Sequence, residues 1–285
     1  MVVVSKLAES KEYAPDDLKH LQNVLLMILK DFIELCDKHD ITYFIDGGSA
    51  LGCVRHKGFI PWDDDIDVIL IRDQYEKFLK YSHELNDKYD ILTMDNYEYY
   101  CRLFTKISLK GTKHGEIFDK NTDFEYGINI DIFVLDNMPN PGFKRKIFTL
   151  QFEIFRKLLW AYELTTADIY LSRNKERIGH FMRFMLKLFR INNKTLKKMG
   201  KKLINKSKKI ESNYYCSFGT PYSLMAFDKD IYSSVVKGKF ESIEVNLTSG
   251  HEKYLKIHYG DNWMELPPEE KRTNHKYDGF DFGKY

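Results

Sequence analysis

The 285-residue chain reads as an α/β (α+β) protein: a mixed sheet flanked by helices, with a mainly helical part toward the C-terminus. Three observations predict this. Asp16 to His39 repeats Leu18, Leu21, Leu25, Ile28, Phe32 and Leu35 at helical spacing. Short runs rich in Ile, Val, Tyr, Phe and Thr recur between Thr42 and Phe133, the composition of strands. Past the breaker cluster Met138-Pro139-Asn140-Pro141-Gly142, the chain turns largely helical from Phe143 to Ile210.

In order, the amphipathic helix leads into a short strand, Thr42 to Ile45, and Gly47-Gly48-Ser49 turns the chain into a short helix, Ala50 to Val54. A loop, Lys57 to Pro61, precedes a second strand, Asp64 to Ile71, and a helix, Asp73 to Leu85. The runs ILTM, YYCRLFTKISL and GINIDIFVL supply further strands. Tyr214 to Glu244 is mixed and includes short strands, and His251 to His258 is a last helix before an irregular tail. The expected division is a core over 1–138, a basic helical segment over 139–212, and a C-terminal segment over 213–285 that returns to the core.

The bulk properties exclude several classes. An apolar content of 43% with 15% aromatic residues is ample for a packed core. Cys36, Cys53, Cys101 and Cys216 form no CxxC pair, so buried free thiols are expected rather than zinc or a disulfide framework. The N-terminal apolar run is too short for a secretion signal and no stretch suits a membrane span, so a cytoplasmic location is expected. Net charge is only +2, yet Arg173 to Lys209 holds fourteen Lys or Arg against one acid, Glu176. Such asymmetry points to an anionic partner for that segment.

Chemistry concentrates in YFIDGGSALGCVRHKGFIPWDDDIDVIL, Tyr43 to Leu70, where Asp63, Asp64, Asp65 and Asp67 fall within five positions. Strand alternation points Asp65 and Asp67 the same way and Ile66 and Val68 into the core. Two carboxylates side by side repel unless a cation sits between them, and oxygen-only ligands suit Mg2+ or Mn2+. The plain alternative is a solvated acidic turn. A glycine-rich helix start favours an anion, so Gly47, Gly48 and Ser49 read as a phosphate cradle beside the metal clamp. Asp131, alone among isoleucines in INIDIFVL, is the expected third carboxylate, because an uncompensated acid there is costly to bury. Asp136 reads as a turn residue. Asp63 and Asp64 either orient the ligands or the attacking hydroxyl, or only shape the loop.

GGSALGCVRHKGFIPWDDDIDV resembles the signature of the LicD family, itself similar to nucleotidyltransferases in its hG[GS]…Dh[DE]h pattern. The likeness extends to NIDIFVLD at Asn129 to Asp136 and, more loosely, to Phe240-Glu241, YLKIHYGDNWMELPP from Tyr254 and Lys271-Arg272. It implies a nucleotidyltransferase-like core and an enzyme that moves a phospho-alcohol from a CDP-activated donor to a glycan hydroxyl, releasing CMP. Phosphocholine is the leading expectation for a cell-surface glycan or teichoic acid precursor; CDP-ribitol and CDP-glycerol remain open as donors. The family's metal ligands map onto Asp65, Asp67 and Asp131. Asp63 is a further catalytic candidate, and Gly47, Gly48, Ser49, Arg55, Lys57, Lys106, Lys271 and Arg272 are candidate donor contacts. Surface roles compete for several of these: Lys106 as an exposed strand lysine, Lys271-Arg272 as part of a solvated tail. Thr112, His275 and His56 are weaker candidates. Trp62 is expected to pack its loop, with stacking on a ligand as the alternative, and Tyr97, Tyr99 and Tyr100 leave the donor alcohol undecided.

Arg177 to Arg190 places Ile178, Phe181, Met182, Met185, Leu188 and Phe189 along one side and Arg183, Lys187 and Arg190 toward the other. Together with the lysines that follow, 177–209 is a candidate for peripheral contact with the inner membrane surface. An ordinary helix packed on the domain is the competing reading. Nucleotidyl transfer to RNA or a small molecule is a further alternative, though no nucleic-acid partner is expected. A basic lipid-binding module without catalysis is the third.

Overall fold

Helix α1, Pro15–Lys38, is the amphipathic helix the spacing predicts, with Leu21, Ile28, Leu29 and Phe32 fully buried. The computed structural model describes residues 13–97, 100–116, 126–166, 181–182, 184–220, 224–274 and 277–285. Phe32 meets Tyr43 edge-on at 5.3 Å and Phe78 at 5.7 Å, fastening α1 to the elements that follow.

Strand β1, Phe44–Ile45, is brief and leads directly into helix α2, Gly47–His56. Gly47, Gly48 and Ser49 therefore form the first turn of that helix rather than a turn before it. Strand β2, Asp67–Ile71, starts three residues later than expected and pairs with β1 through Val68 and Ile69. Asp63 to Ile66 approach it outside the ladder, although Asp131 N–H donates to the Ile66 carbonyl at 3.0 Å. Helix α3, Arg72–Tyr81, continues as a 3₁₀ turn over Ser82–Leu85.

Strands β3, Tyr89–Leu92, β4, Thr105–Leu109, β5, Lys113–Glu116, and β6, Asn129–Met138, follow. Beyond the helical segment come β7, Tyr214–Ser217, and β8, Phe227–Asp228. The main sheet runs β1-β2-β6-β4-β3, with β7 also on β6 and β8 on β7. β6 is its spine: parallel to β2 through 131–135, antiparallel to β4 through 129–132 and to β7 through 135–138. Ile128, Ile130 and Ile132 are fully buried, while Asn129, Asp131 and Phe133 on the other face are half-buried. The mixed sheet with flanking helices is the α+β architecture expected.

Asp136 corrects the sequence reading. It lies inside β6, 1% exposed, and accepts from Arg72 Nε at 2.9 Å and a second guanidinium nitrogen at 2.5 Å. The strand runs on to Met138, so the chain turns only at the Met138 to Gly142 cluster.

Helix α4, Phe143–Thr166, buries Phe148, Phe152 and Phe155 against Met138, Leu203 and Phe218. Residues 181–182 and 184–188 are helical; Ile178 and Arg183 lie outside the described residues. Helix α5, Asn193–Ser207, is capped by the Asn192 side chain, which accepts from Thr195 N–H. Its lysines are partly engaged: Lys201 pairs with Asp95 and Lys208, just beyond it, with Glu76, each at 2.5 Å. The four cysteines are free and buried, as expected.

The C-terminal part adds a hairpin, β9, Val235–Phe240, and β10, Ile243–Thr248, then helix α6, His251–Tyr259. The tail is not irregular throughout: β11, Tyr277–Asp281, pairs antiparallel with β5 across a register shift. Phe280 packs on Tyr13 at 5.6 Å and Phe282 stacks on His20 at 3.9 Å, so alternating aromatics hold a Gly- and Asp-rich strand in place. Among the described residues no helix is long and apolar enough to cross a membrane.

Candidate functional site

The register across three adjacent strands builds the site. Asp67 on β2 stands beside Asp131 on β6, and Asp131 stands beside Lys106 on β4. Neighbouring strands are about 4.8 Å apart, so carboxylate, carboxylate and ammonium form one row on the sheet face opposite the isoleucines. Asp65 lies two residues before Asp67, half-buried like it, with Ile66 fully buried between them.

Lys106 is not the exposed strand lysine that composition favoured. It is 2% exposed, and its Nζ donates to Asp131 Oδ1 at 2.8 Å and to Asn129 Oδ1 at 2.9 Å. Asp67 experiences the opposite environment. Burial first, then the charges of Asp65, Asp131, Asp46 and Asp63, push its carboxyl well above the usual range. Negative charge is thus crowded at Asp67 while one cationic side chain offsets it at Asp131.

The start of α2 backs onto these acids. Gly47 has φ +51°, and a Cβ there would meet Asp67 Oδ2 at 2.9 Å; one on Gly48 would meet Asp63 Oδ2 at 3.0 Å. Only glycine admits both the backbone angle and the carboxylates so close to the helix end. Ser49, 2% exposed, accepts from Asp67 N–H at 3.0 Å, so its oxygen fastens the helix to β2. Gly47 N–H donates to the Tyr254 hydroxyl at 2.8 Å, and that hydroxyl donates to Asp46 Oδ1.

Asp46, Tyr254, His258 and Tyr259 were missed in the sequence. Asp46 is buried, and burial raises its pKa against the lowering effects of His258, Tyr254 and the Gly47 N–H. The half-exposed Tyr259 has its pKa raised by the surrounding protein, then by Asp46, Asp67, Asp63 and Asp65, which places its phenol within electrostatic reach of the acidic row. The available signal was Asp46 immediately before Gly47-Gly48, and two tyrosines in the C-terminal stretch YLKIHYGDNW.

The remaining candidates divide. Arg55 donates to His56 Nε2 and, through one guanidinium nitrogen, to the carbonyls of Trp263 and Glu265, pinning the C-terminal segment near Tyr259. Lys57 caps the far end of α2 in a left-handed conformation, φ 60°, its Nζ on the Val54 carbonyl. It lies ten positions along the helix from Gly47, about 15 Å of rise, so it stands away from the row. Arg272 lies over the Trp62 ring at 5.4 Å, returning the tail to the loop that carries the acids, while Lys271 is exposed. Thr112 is structural: its hydroxyl donates to the Leu109 carbonyl and accepts from Ile128 N–H. His275 and Tyr99 lie outside the described residues.

The donor chemistry of Asp65, Asp67 and Asp131 fits a hard divalent cation, being all carboxylate oxygen with unneutralised charge at its centre. Among the described residues no three such side chains are already gathered at metal-holding distance. Lys106 accounts for this at Asp131, whose carboxylate it holds with both oxygens engaged.

A family model described as LicD/FKTN/FKRP, nucleotidyltransferase domain, matches residues 40–157, which takes in the acidic row, α2 and Lys106. The chain is also 30% identical, over 90% of its length and 95% of the relative's, to a lipopolysaccharide cholinephosphotransferase LicD of Haemophilus influenzae. The chain belongs to the LicD family. Shorter matches join it to uncharacterized proteins of Rickettsia typhi, 44% identical over 21% of this chain and 19% of the relative, and Rickettsia prowazekii, 50% over 15% and 16%. The match over 90% of the chain is much longer than residues 40–157, so this LicD-family protein shares more than the acidic core with its Haemophilus relative.

Proposed function

We propose that this LicD-family protein is a phosphocholine transferase that takes phosphocholine from CDP-choline, places it on a hydroxyl of a cell-surface glycan precursor and releases CMP. The observation that carries the reading is the in-register pair Asp67 and Asp131, with Asp65 beside them and the glycine-started helix α2 behind. The near full-length likeness to a lipopolysaccharide cholinephosphotransferase supports the transferred group and the class of acceptor.

Asp65, Asp67 and Asp131 would hold Mg2+ or Mn2+, which when bound neutralises phosphate charge and acidifies the acceptor hydroxyl. Lys106 is placed to follow the charge. Released from Asp131, its ammonium would be available to offset negative charge on a donor phosphate bound at the acidic row. Arg55 of α2 holds the C-terminal segment, whose Tyr259 lies within electrostatic reach of the acids. His56 is an unsuitable base: burial and Arg55 lower its pKa, and it already accepts from Arg55 Nε.

The test is CMP release from CDP-choline with Mg2+, alongside CDP-ribitol and CDP-glycerol. Release is expected from CDP-choline, falling more than about a hundredfold in Asp65→Ala and Asp67→Ala, since loss of a ligand should exceed loss of its supporting shell. Full turnover in either variant removes the proposed metal site. Preference for another CDP-alcohol reassigns the donor.

A further inference from the structure

Helix α4 is apolar on two opposite sides. One side is the buried row Phe148, Phe152 and Phe155. The other is Phe143, Ile147, Leu150 and Ile154, exposed at 76%, 39%, 60% and 48%. At about 100° per residue these four fall within an arc of roughly 60°, nearly opposite the buried row. Further along the same segment Phe181, Phe184, Leu188 and Phe189 are each at least 60% exposed. A helix that packs normally has one apolar stripe, so the second calls for a partner.

Charge decides what that partner is. Between Pro141 and Ile210 the sequence carries 19 Lys or Arg and 4 Asp or Glu, while the rest of the chain is net acidic. Lys146 and Lys157, both exposed, border the stripe on one side and Lys144 the other. A second copy meeting this face across a two-fold axis would set the basic rims against each other. A nucleic acid would satisfy the lysines and leave the phenylalanine and leucine side chains without a dry surface. An anionic bilayer satisfies both, with apolar side chains entering the acyl boundary and lysines reaching the headgroup phosphates.

We infer that the outer face of α4, continued by the apolar residues of 181–189, docks the protein on the surface of an anionic membrane. The inference goes beyond the transfer reaction and does not require it. The centre of the contact thus moves from 177–209, where an amphipathic run and its lysines suggested it, onto α4, with 181–189 kept as its continuation. Lys201 and Lys208 are tied to Asp95 and Glu76, and Lys206 donates to Gln151.

Co-sedimentation with vesicles of phosphatidylcholine alone, and with added phosphatidylglycerol, tests it on the full chain. The wild type should pellet with phosphatidylglycerol vesicles and be released by high salt. Leu150→Glu/Ile154→Glu should weaken that binding at least tenfold, and Lys146→Glu/Lys157→Glu several-fold. Both stripe positions are exposed, so circular dichroism, melting temperature and CMP release from CDP-choline should match the wild type. Failure of the wild type to bind anionic vesicles overturns the inference, as does undiminished binding by the stripe variant. A dimer in analytical ultracentrifugation that the stripe variant dissociates would also overturn it, assigning the face to a second copy. Vesicle binding with no donor turnover would overturn the proposed reaction instead, so the two failures are distinguishable.

Discussion

Asp67 sits where stability and function oppose each other. Four carboxylates, those of Asp65, Asp131, Asp46 and Asp63, surround it, and burial adds to their effect. Its folded pKa lies above its unfolded value of about 4, so between those two pH values the native state binds more protons than the unfolded one. The metal-free protein therefore loses stability as pH rises from about 4 through that window. Asp67→Asn should melt higher than the wild type in EDTA at pH 7, by about 2 °C for each kcal/mol of repulsion relieved. Added Mg2+ should raise the wild-type melting temperature and leave the variant unmoved, because only the wild type presents the site. Differential scanning fluorimetry across pH 5–8 reads both effects. A variant that melts lower than the wild type in EDTA at pH 7 would contradict the crowding argument.

At the scale of elements, the legible features were those set by local spacing. α1 announced itself through six apolar residues on one face, and the Asn129–Asp131 face of β6 through alternation with isoleucine. Asp136 was misread because its meaning comes from a partner 64 positions earlier, Arg72 at the start of α3. The pair joins α3 to the C-terminal half of β6, with Asp136 buried and Arg72 17% exposed on its side chain. Asp136→Ala leaves a guanidinium largely out of water without its partner, a change that costs about 3 kcal/mol. Urea unfolding should show that loss, with CMP release little changed in the folded fraction because the pair lies beyond the Asp67–Asp131 row. Lys106 was misjudged for the same reason. A lysine in a strand is usually solvated, and only the pairing of β4 with β6 places this one against Asp131.

Over the whole molecule, the site is assembled from distant parts of the chain. The acids, α2 and Lys106 come from the first half; Tyr254, His258, Tyr259 and the carbonyls that hold Arg55 come from the last fifth. Sequence reading saw the return of the tail only as a likeness, since no periodicity links residue 46 to residue 254. The physical link is one hydroxyl: Tyr254 accepts from Gly47 N–H and donates to Asp46, satisfying a helix-start donor and a buried acid together. β11 meanwhile covers the edge of β5, and Arg272 rests on Trp62 beside the acidic loop. Ending the chain after Thr248 would strip all of these at once, leaving Asp46 buried without its hydroxyl partner and β5 with an open edge. Such a chain keeps Asp65, Asp67, Asp131 and Lys106, yet it should show a lowered melting temperature and no CMP release. Tyr254→Phe separates the causes, because it removes only the hydroxyl: about 1–3 kcal/mol of stability should go, and turnover should fall with α2 no longer held against Asp46. If the shortened chain turned over CDP-choline at the full rate, the C-terminal segment would be packing alone and the site would end at β6.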